Sequence, residues 1–219
     1  MDKSQEYKKR GHVSLEELLA PEVAHAYLGI MQKAMGDTPE LQKRFYKDAL
    51  AVSRRSLELY SQFFPFSLAL LWGLTPTMED VVGAKLLPAY AYGRVYARGA
   101  QLLVHNDRVS NEHSMTLTLG YADDRVWDFY IDKNRLPDSE AKNPSQPWVF
   151  NEDEYRCVKM QPGDAVAYQG VHYLHARPAP NPNEWSAHIF LGWVNRDGPY
   201  KDSAFDGLSL PPKPTFYFG

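Results

Sequence analysis

The tripeptide His105-Asn106-Asp107 and the later segment Val171-His172-Tyr173-Leu174-His175 carry the side chains best suited to chemistry in this sequence. On an extended segment residues i and i+2 point the same way, so the His105 imidazole and the Asp107 carboxylate converge on one face. A third ligand from the later segment, His172 or His175, completes a set of two imidazoles and one carboxylate. Such a set occupies one side of a metal and leaves the opposite positions open, an arrangement that suits iron(II). By spacing alone H-x-D is a common string, and a polar surface turn accounts for it equally well.

The elements that must position these residues are of two kinds. From Leu86 onward the pattern is of short strands, with Tyr90, Tyr92, Arg94 and Tyr96 alternating with smaller residues. Further runs rich in aromatic and β-branched residues predict strands over 102–104, 115–119, 126–131, 155–160, 165–168 and 188–194. Turn residues separate them: Gly120, Pro137, and the segments 143–147, 162–164 and 178–183. Trp127, Phe129 and Ile131 alternate with acidic neighbours, which predicts a half-buried strand. Many short strands without helical patterning between them point to an antiparallel barrel or a double-sheet jelly roll.

The residues before Leu86 read as helical. Ser14 and Glu17 have capping-box spacing, with Val13 placed to staple against Leu18. Thr38 and Pro39 read as a second N-cap, and Leu41, Phe45, Leu50 and Leu57 are expected to continue that helix until Gly73 and Pro76 close the region. The apolar run 63–74 is interrupted by Pro65, Ser67 and Gly73; it is too short to span a bilayer and is expected to be buried. The resulting expectation is one α+β domain over 1–219. Residues 1–85 are mainly helical support, 86–200 the strand-rich core, barrel or jelly roll, and 201–219 a C-terminal arm, extended from Leu208.

The composition of 44% hydrophobic and 23% charged residues is that of a folded globular chain. A net charge of −3, with no run of basic residues, argues against nucleic acid or an anionic membrane surface as partner. The single cysteine, Cys157, allows no intrachain disulfide, and the first residues lack the apolar core of a signal peptide. A cytoplasmic protein is expected. There is no G-x-S-x-G, P-loop or Rossmann fingerprint.

Two blocks resemble the core of 2-oxoglutarate/iron(II)-dependent dioxygenases. The stretch LLPAYAYGRVYARGAQLLVHNDRVSNEHSMTLTLGY (86–121) has an arginine and tyrosines on a strand, a glycine turn, H-x-D followed by arginine, and a Ser/Thr-rich strand. The stretch PGDAVAYQGVHYLHARPAP (162–180) has a Gly-Asp turn leading into a strand, and a histidine, His175, five residues after Gly170. The resemblance covers roughly the last 135 residues, with both blocks in order. It implies a double-stranded β-helix (jelly-roll) fold for the core 86–200, iron(II) and 2-oxoglutarate as cofactors, and dioxygen with a small-molecule or peptide substrate as partners. It also implies hydroxylation with release of succinate and CO2. It favours His105, Asp107 and His175 as metal ligands over His172, with no further catalytic side chain named. Halogenating members replace the carboxylate with a small residue; Asp107 is retained here, which favours hydroxylation.

The resemblance also requires a cation for the distal carboxylate of 2-oxoglutarate, for which arginine is best suited because its planar fork makes two parallel hydrogen bonds. The family's usual Arg or Lys, some nine to eleven residues after the distal histidine, is missing; Glu184, Trp185 and Ser186 occupy the end of that window. Arg177 is the first candidate, followed by His188, Arg94 and Tyr96; a surface charge is the competing reading of Arg177. Arg108 is a possible neighbour for Asp107. His113 reads as a polar loop residue, and His12 and His25 as solvated or satisfied in the helical third. Two other functional readings stand beside the oxygenase: a jelly roll that binds without turnover, and a cupin-like metalloenzyme that does not use 2-oxoglutarate. The residues do not indicate the oligomeric state.

Overall fold

The computed structural model describes residues 2–141, 149–150 and 154–207. In chain order the helices are α1 (Lys3–Arg10), α2 (Pro21–Met35), α3 (Pro39–Gln42), α4 (Phe66–Gly73) and α5 (Thr75–Val82). The strands are β1 (His12–Leu15), β2 (Tyr46–Lys47), β3 (Ser56–Tyr60), β4 (Leu86–Ala97), β5 (Leu102–His105) and β6 (His113–Tyr121). They continue with β7 (Phe129–Asp132), β8 (Tyr155–Val158), β9 (Ala165–Tyr168), β10 (His175–Arg177) and β11 (Trp185–Asn195). One sheet has the order β1-β9-β6-β11-β4-β3-β2 and the other β5-β10-β7-β8, with every pairing antiparallel. The expected double-sheet core with helices packed on it is therefore present.

The sheets explain the residue patterns. All nine residues of β6 are buried, because helices cover one face of the large sheet and the small sheet covers the other. Met115, Leu117 and Leu119 belong to the helix-side core, together with Met31 of α2, Leu71 of α4 and Met78 of α5. Ser114, Thr116 and Thr118 occupy the alternate positions, and Ser114 and Thr118 bond Asp107 and His188, which places this row between the sheets. There it meets a second core of Tyr96, Trp127, Phe129, Ile131, Val166 and Tyr168.

The first third departs from the expected helical pattern. Ser14 caps no helix: 12–15 form β1, paired with β9 from His12↔Tyr168 to Leu15↔Ala165. Pairing buries Val13 and Leu15 at 2% exposure each, which outweighs the local capping signal. Helix α2 begins instead at Pro21. Thr38 does cap α3, its hydroxyl accepting from the Leu41 amide at 3.4 Å, but that helix has only four residues. Leu57 lies in β3 and Leu50 is 96% exposed, so neither continues it. The apolar run 63–74 is only half buried. Phe64 and Leu71 enter the core, whereas Phe63, Phe66 and Trp72 are exposed, because a surface helix buries one stripe only.

His113 is a second correction. It opens β6, is buried, and shares a 2.8 Å hydrogen bond between its Nδ1 and the Tyr7 hydroxyl of α1, while its Nε2 lies 3.0 Å from Asn195 Nδ2. His12 is buried in β1 rather than placed in a helix, and His25 is exposed on α2. The segment 143–147 and the tail from Leu208 lie outside the described residues. No helix among the described residues is long and apolar enough to cross a membrane.

Leu59 of β3 is fully buried in the helix-side core. Leu59→Ala is expected to lower unfolding free energy by about 2–5 kcal/mol, read as a lower urea midpoint at unchanged slope.

Candidate metal centre

Strand β10 pairs with β5 so that His175 lies directly opposite His105. This register brings the two imidazole centroids to 4.3 Å. Asp107 lies two residues past the end of β5. Its backbone N–H donates to the Gly170 carbonyl at 2.8 Å, and its Oδ2 accepts from the Ser114 hydroxyl at 2.6 Å. The carboxylate is thereby turned toward the two rings. His175 Nε2 is 3.5 Å and His105 Nε2 is 4.0 Å from Asp107 Oδ1, and one potential ligand atom from each residue lies within 4.8 Å of the others.

The tautomers follow from the backbone. His105 Nδ1 is 2.7 Å from the Leu103 carbonyl and His175 Nδ1 is 2.9 Å from the Tyr173 carbonyl. A carbonyl only accepts, so both Nδ1 atoms carry the proton and the Nε2 atoms are the ones turned toward Asp107. Burial, and then the neighbouring His175 ring, push the His105 pKa down to about 4, which keeps that imidazole neutral. Burial would raise the Asp107 carboxyl. The neighbouring His175 and His105 and the Ser114 hydroxyl outweigh it and hold the group below the usual carboxylate range. Two imidazole nitrogens and one carboxylate oxygen fit a divalent metal.

The glycine five residues before His175 has a steric role here. A Cβ on Gly170 would lie 2.2 Å from Asp107 Oδ2 and 2.3 Å from Ser114 Oγ. Any side chain would displace the carboxylate or its hydroxyl donor. His172 stays apart from the centre, with its Nδ1 3.8 Å from the Asp138 carboxylate.

The four other candidates divide by partner. Arg94 is buried against Glu58, its Nε and Nη2 donating to Oε1 at 2.9 and 2.6 Å, and its Nη1 lies 3.2 Å from the Tyr96 hydroxyl. Its charge is thus neutralised within the fold. Arg177 is 1% exposed and no surface charge. Its Nη1 donates to the Trp127 carbonyl, and its guanidinium carbon lies 5.1 and 5.3 Å from the Trp127 and Phe129 rings. Its Nη2 has no hydrogen-bond partner among the described residues. The same holds for Nε2 of the fully buried His188, whose Nδ1 lies 3.4 Å from Thr118 Oγ1, and for the Thr116 hydroxyl. Burial first, then Arg177 and Arg94, lower the His188 pKa well below its ordinary value and keep the ring neutral. Arg108 lies over the Tyr90 ring at 3.9 Å and pairs with Asp206, so it is no neighbour of the carboxylate.

Ser114, the steric demand at Gly170, and the Trp127–Phe129 slot around Arg177 escaped sequence reasoning. Trp127 and Phe129 read as residues of a half-buried strand; both are fully buried. The Ser/Thr-rich strand was the available signal for Ser114. Tyr92, Tyr168 and Phe190 close the sides of the cavity at the three gathered side chains, a small space of about 20 Å³.

No family model matches the chain, and no curated protein matches its sequence. Solved structures do match its fold. A Pseudomonas putida prolyl-4-hydroxylase superposes with a TM-score of 0.60 at 14% identity, over 89% of this chain and 97% of that one. The non-heme α-ketoglutarate-dependent carbocyclase SnoK from nogalamycin biosynthesis gives 0.66 at 14% identity, over 89% and 83%. HygX from Streptomyces hygroscopicus, with nickel and 2-oxoglutarate bound, gives 0.59 at 13% identity, over 87% and 85%. The chain shares the fold of these proteins.

Gly170→Ala is expected to weaken manganese(II) binding ~10–100-fold, the usual cost of disturbing a ligand's hydrogen-bonded support. Metal titration checks the affinity, and an unchanged far-ultraviolet circular dichroism spectrum separates this from unfolding.

Proposed function

We propose that this protein is an iron(II)- and 2-oxoglutarate-dependent oxygenase that hydroxylates its substrate, with His105, Asp107 and His175 as metal ligands and Arg177 as the partner of the distal carboxylate. The observation that carries the reading is the register of β10 on β5, which gathers two imidazoles and a carboxylate from distant parts of the chain. Iron(II), when bound, supplies the activation of dioxygen that couples oxidative decarboxylation of 2-oxoglutarate, giving succinate and CO2, to substrate oxidation.

The chain's own part is orientation, charge and dryness. The Leu103 and Tyr173 carbonyls hold the imidazoles with Nε2 toward the metal position, and Ser114 holds the carboxylate. Arg177 follows His175 by two residues on the same strand, roughly 7 Å along an extended chain, within reach of a five-carbon diacid. A buried guanidinium with an unpaired N–H favours an anionic acceptor, because leaving a charge uncompensated in low dielectric costs several kcal/mol. Trp127 and Phe129 keep water from its flanks. The neutral His188 Nε2 and the Thr116 hydroxyl are further polar atoms free to meet a ligand between the sheets. Arg94 suits this role less, since Glu58 already satisfies it. The missing arginine after the distal histidine then has a substitute on the histidine's own strand. At the end of its usual window, the Ser186 hydroxyl donates to Asn181 at 2.7 Å. We also read the chain as one oxygenase domain, with the site carried by 86–200.

Anaerobic addition of iron(II) and 2-oxoglutarate is expected to give a weak visible metal-to-ligand charge-transfer band that His105→Ala abolishes. Arg177→Met is expected to keep iron binding but raise the 2-oxoglutarate concentration for half-maximal absorbance at least ~tenfold, the equivalent of about 1.4 kcal/mol. Iron binding without a band or succinate would overturn the assignment in favour of a metalloprotein that does not use 2-oxoglutarate.

A further inference from the structure

Beside the candidate metal centre lies a wider cleft of about 820 Å³, reaching His105 and Asp107 at its inner end. Its described lining is dominated by Tyr60, Tyr90, Tyr92 and the aliphatic residues Leu50, Leu102 and Leu103. Two of these, Leu50 at 96% and Leu103 at 44%, leave large apolar side chains in water beside the site. Cross-strand register sets the aromatic surface: Tyr60 of β3 pairs with Tyr92 of β4, which pairs with Phe190 of β11. Their rings lie nearly parallel, at 5.7 Å and 21° for Tyr60–Tyr92 and 5.0 Å and 20° for Tyr92–Phe190. Tyr92 lines both the cleft and the cavity of the metal ligands, so the row of rings leads from one into the other.

Most polar groups of the lining are already committed, with the Asn106 and Asn111 side-chain oxygens the buried atoms left without a partner among the described residues. Arg94 pairs with Glu58 at 2.6 Å and Arg108 with Asp206 at 3.3 Å, which leaves neither guanidinium free for an anion. The same two guanidinium groups sit by the rings a cationic ligand would need, Arg108 at 3.9 Å from Tyr90 and Arg94 at 5.1 Å from Tyr92. A quaternary ammonium there meets like charge. The Asn106 amide nitrogen donates to the Ala141 and Val171 carbonyls, and the Gln101 amide to that of Pro178. A sugar or peptide, which must satisfy many polar atoms, finds little here.

We propose that the cleft takes an uncharged substrate with a flat apolar body, an aromatic or fused-ring molecule, seated on Tyr60, Tyr90 and Tyr92 with its edge toward His105 and Asp107. This rests on the oxygenase reading for the fate of the substrate, but the docking chemistry rests on the cleft alone. With Tyr92 stacked between Tyr60 and Phe190, and Arg108 over Tyr90, the rings meet such a body by their edges, in the edge-to-face contact that aromatic pairs favour.

The test titrates 2-naphthol into the metal-free protein by calorimetry, with sucrose, tetramethylammonium and a proline tetrapeptide in parallel. Saturable binding of 2-naphthol alone is expected, weakened ~tenfold by Tyr90→Ala and by Tyr60→Leu. Trp72→Ala, which removes an exposed ring on α4 outside the cleft, should leave it unchanged. Tyr90→Leu repeats the measurement if the alanine variant does not fold. With manganese(II) added, the naphthol proton resonances should broaden, which places the ring near the metal ligands. Absence of binding, tighter binding of any of the other three probes, or indifference to the tyrosine substitutions overturns the proposal. Tyrosine-dependent naphthol binding in a protein that holds no manganese would instead uphold the cleft and overturn the oxygenase reading.

Discussion

The alignment of β10 between β5 and β7 is the constraint on which the candidate site depends. This strand has three residues, and within it His175 faces His105 on one side and Ile131 on the other. Side chains alternate across a strand, so a slip of one residue would carry both His175 and Arg177 to the opposite face. Strands this short hold their register through their neighbours. β10 lies inside its sheet, with Ala176 fully buried and the turn before it tied down by the His172 and Tyr173 amides on the Gln169 carbonyl. The Asp107–Gly170 hydrogen bond then fixes the third ligand to the same turn.

Around this alignment the space between the sheets is divided by polarity. The outer face of the large sheet takes aliphatic residues and helices, while its inner face carries Ser114, Thr116, Thr118, His188 and Arg94. Polar groups at such depth cost free energy unless bonded. Most are bonded: Ser114 to Asp107, and Arg94 to Glu58. Among the exceptions, Arg177 Nη2, His188 Nε2 and Thr116 Oγ1 project from strands that face the same interior. A structural core would not keep a half-satisfied guanidinium, whereas a site that receives a dicarboxylate would. The two buried arginines are therefore unequal. One completes the fold with Glu58, and the other keeps a donor in reserve.

The helical layer contributes strands as well as cover. β1 extends the large sheet beyond β9, and β2 and β3 extend it beyond β4, so the first third builds both edges of the sheet that faces the site-bearing strands β5 and β10. β3 matters most for function, because it brings Tyr60 alongside Tyr92 and widens the aromatic surface toward solvent. The Tyr7–His113–Asn195 hydrogen bonds tie α1 to the ends of β6 and β11.

Several strands of the core were legible in the residues because their patterns are local, whereas β10, which carries His175, was not, since three residues are too few to show a period. Tyr90 to Tyr96 alternate as β4 does, Ala165 to Tyr168 were placed to the residue, and H-x-D with the later glycine and histidine marked the three groups that the fold gathers. The first third misled for the opposite reason. Ser14, Val13 and Leu57 owe their conformation to partners far along the chain, and no local periodicity records a strand that exists only when β9 or β4 lies beside it. The amino-acid order by itself determined a core of short antiparallel strands and the His105–Asp107 pair, and its resemblance to a known family singled out His175 as the third side chain that the fold gathers. Only tertiary structure decided that Gly170 must lack a side chain, that Arg94 is neutralised while Arg177 is not, and that three rings align beside the metal centre. Each of these depends on distances between residues remote in the chain, and such distances exist only once the sheets have closed.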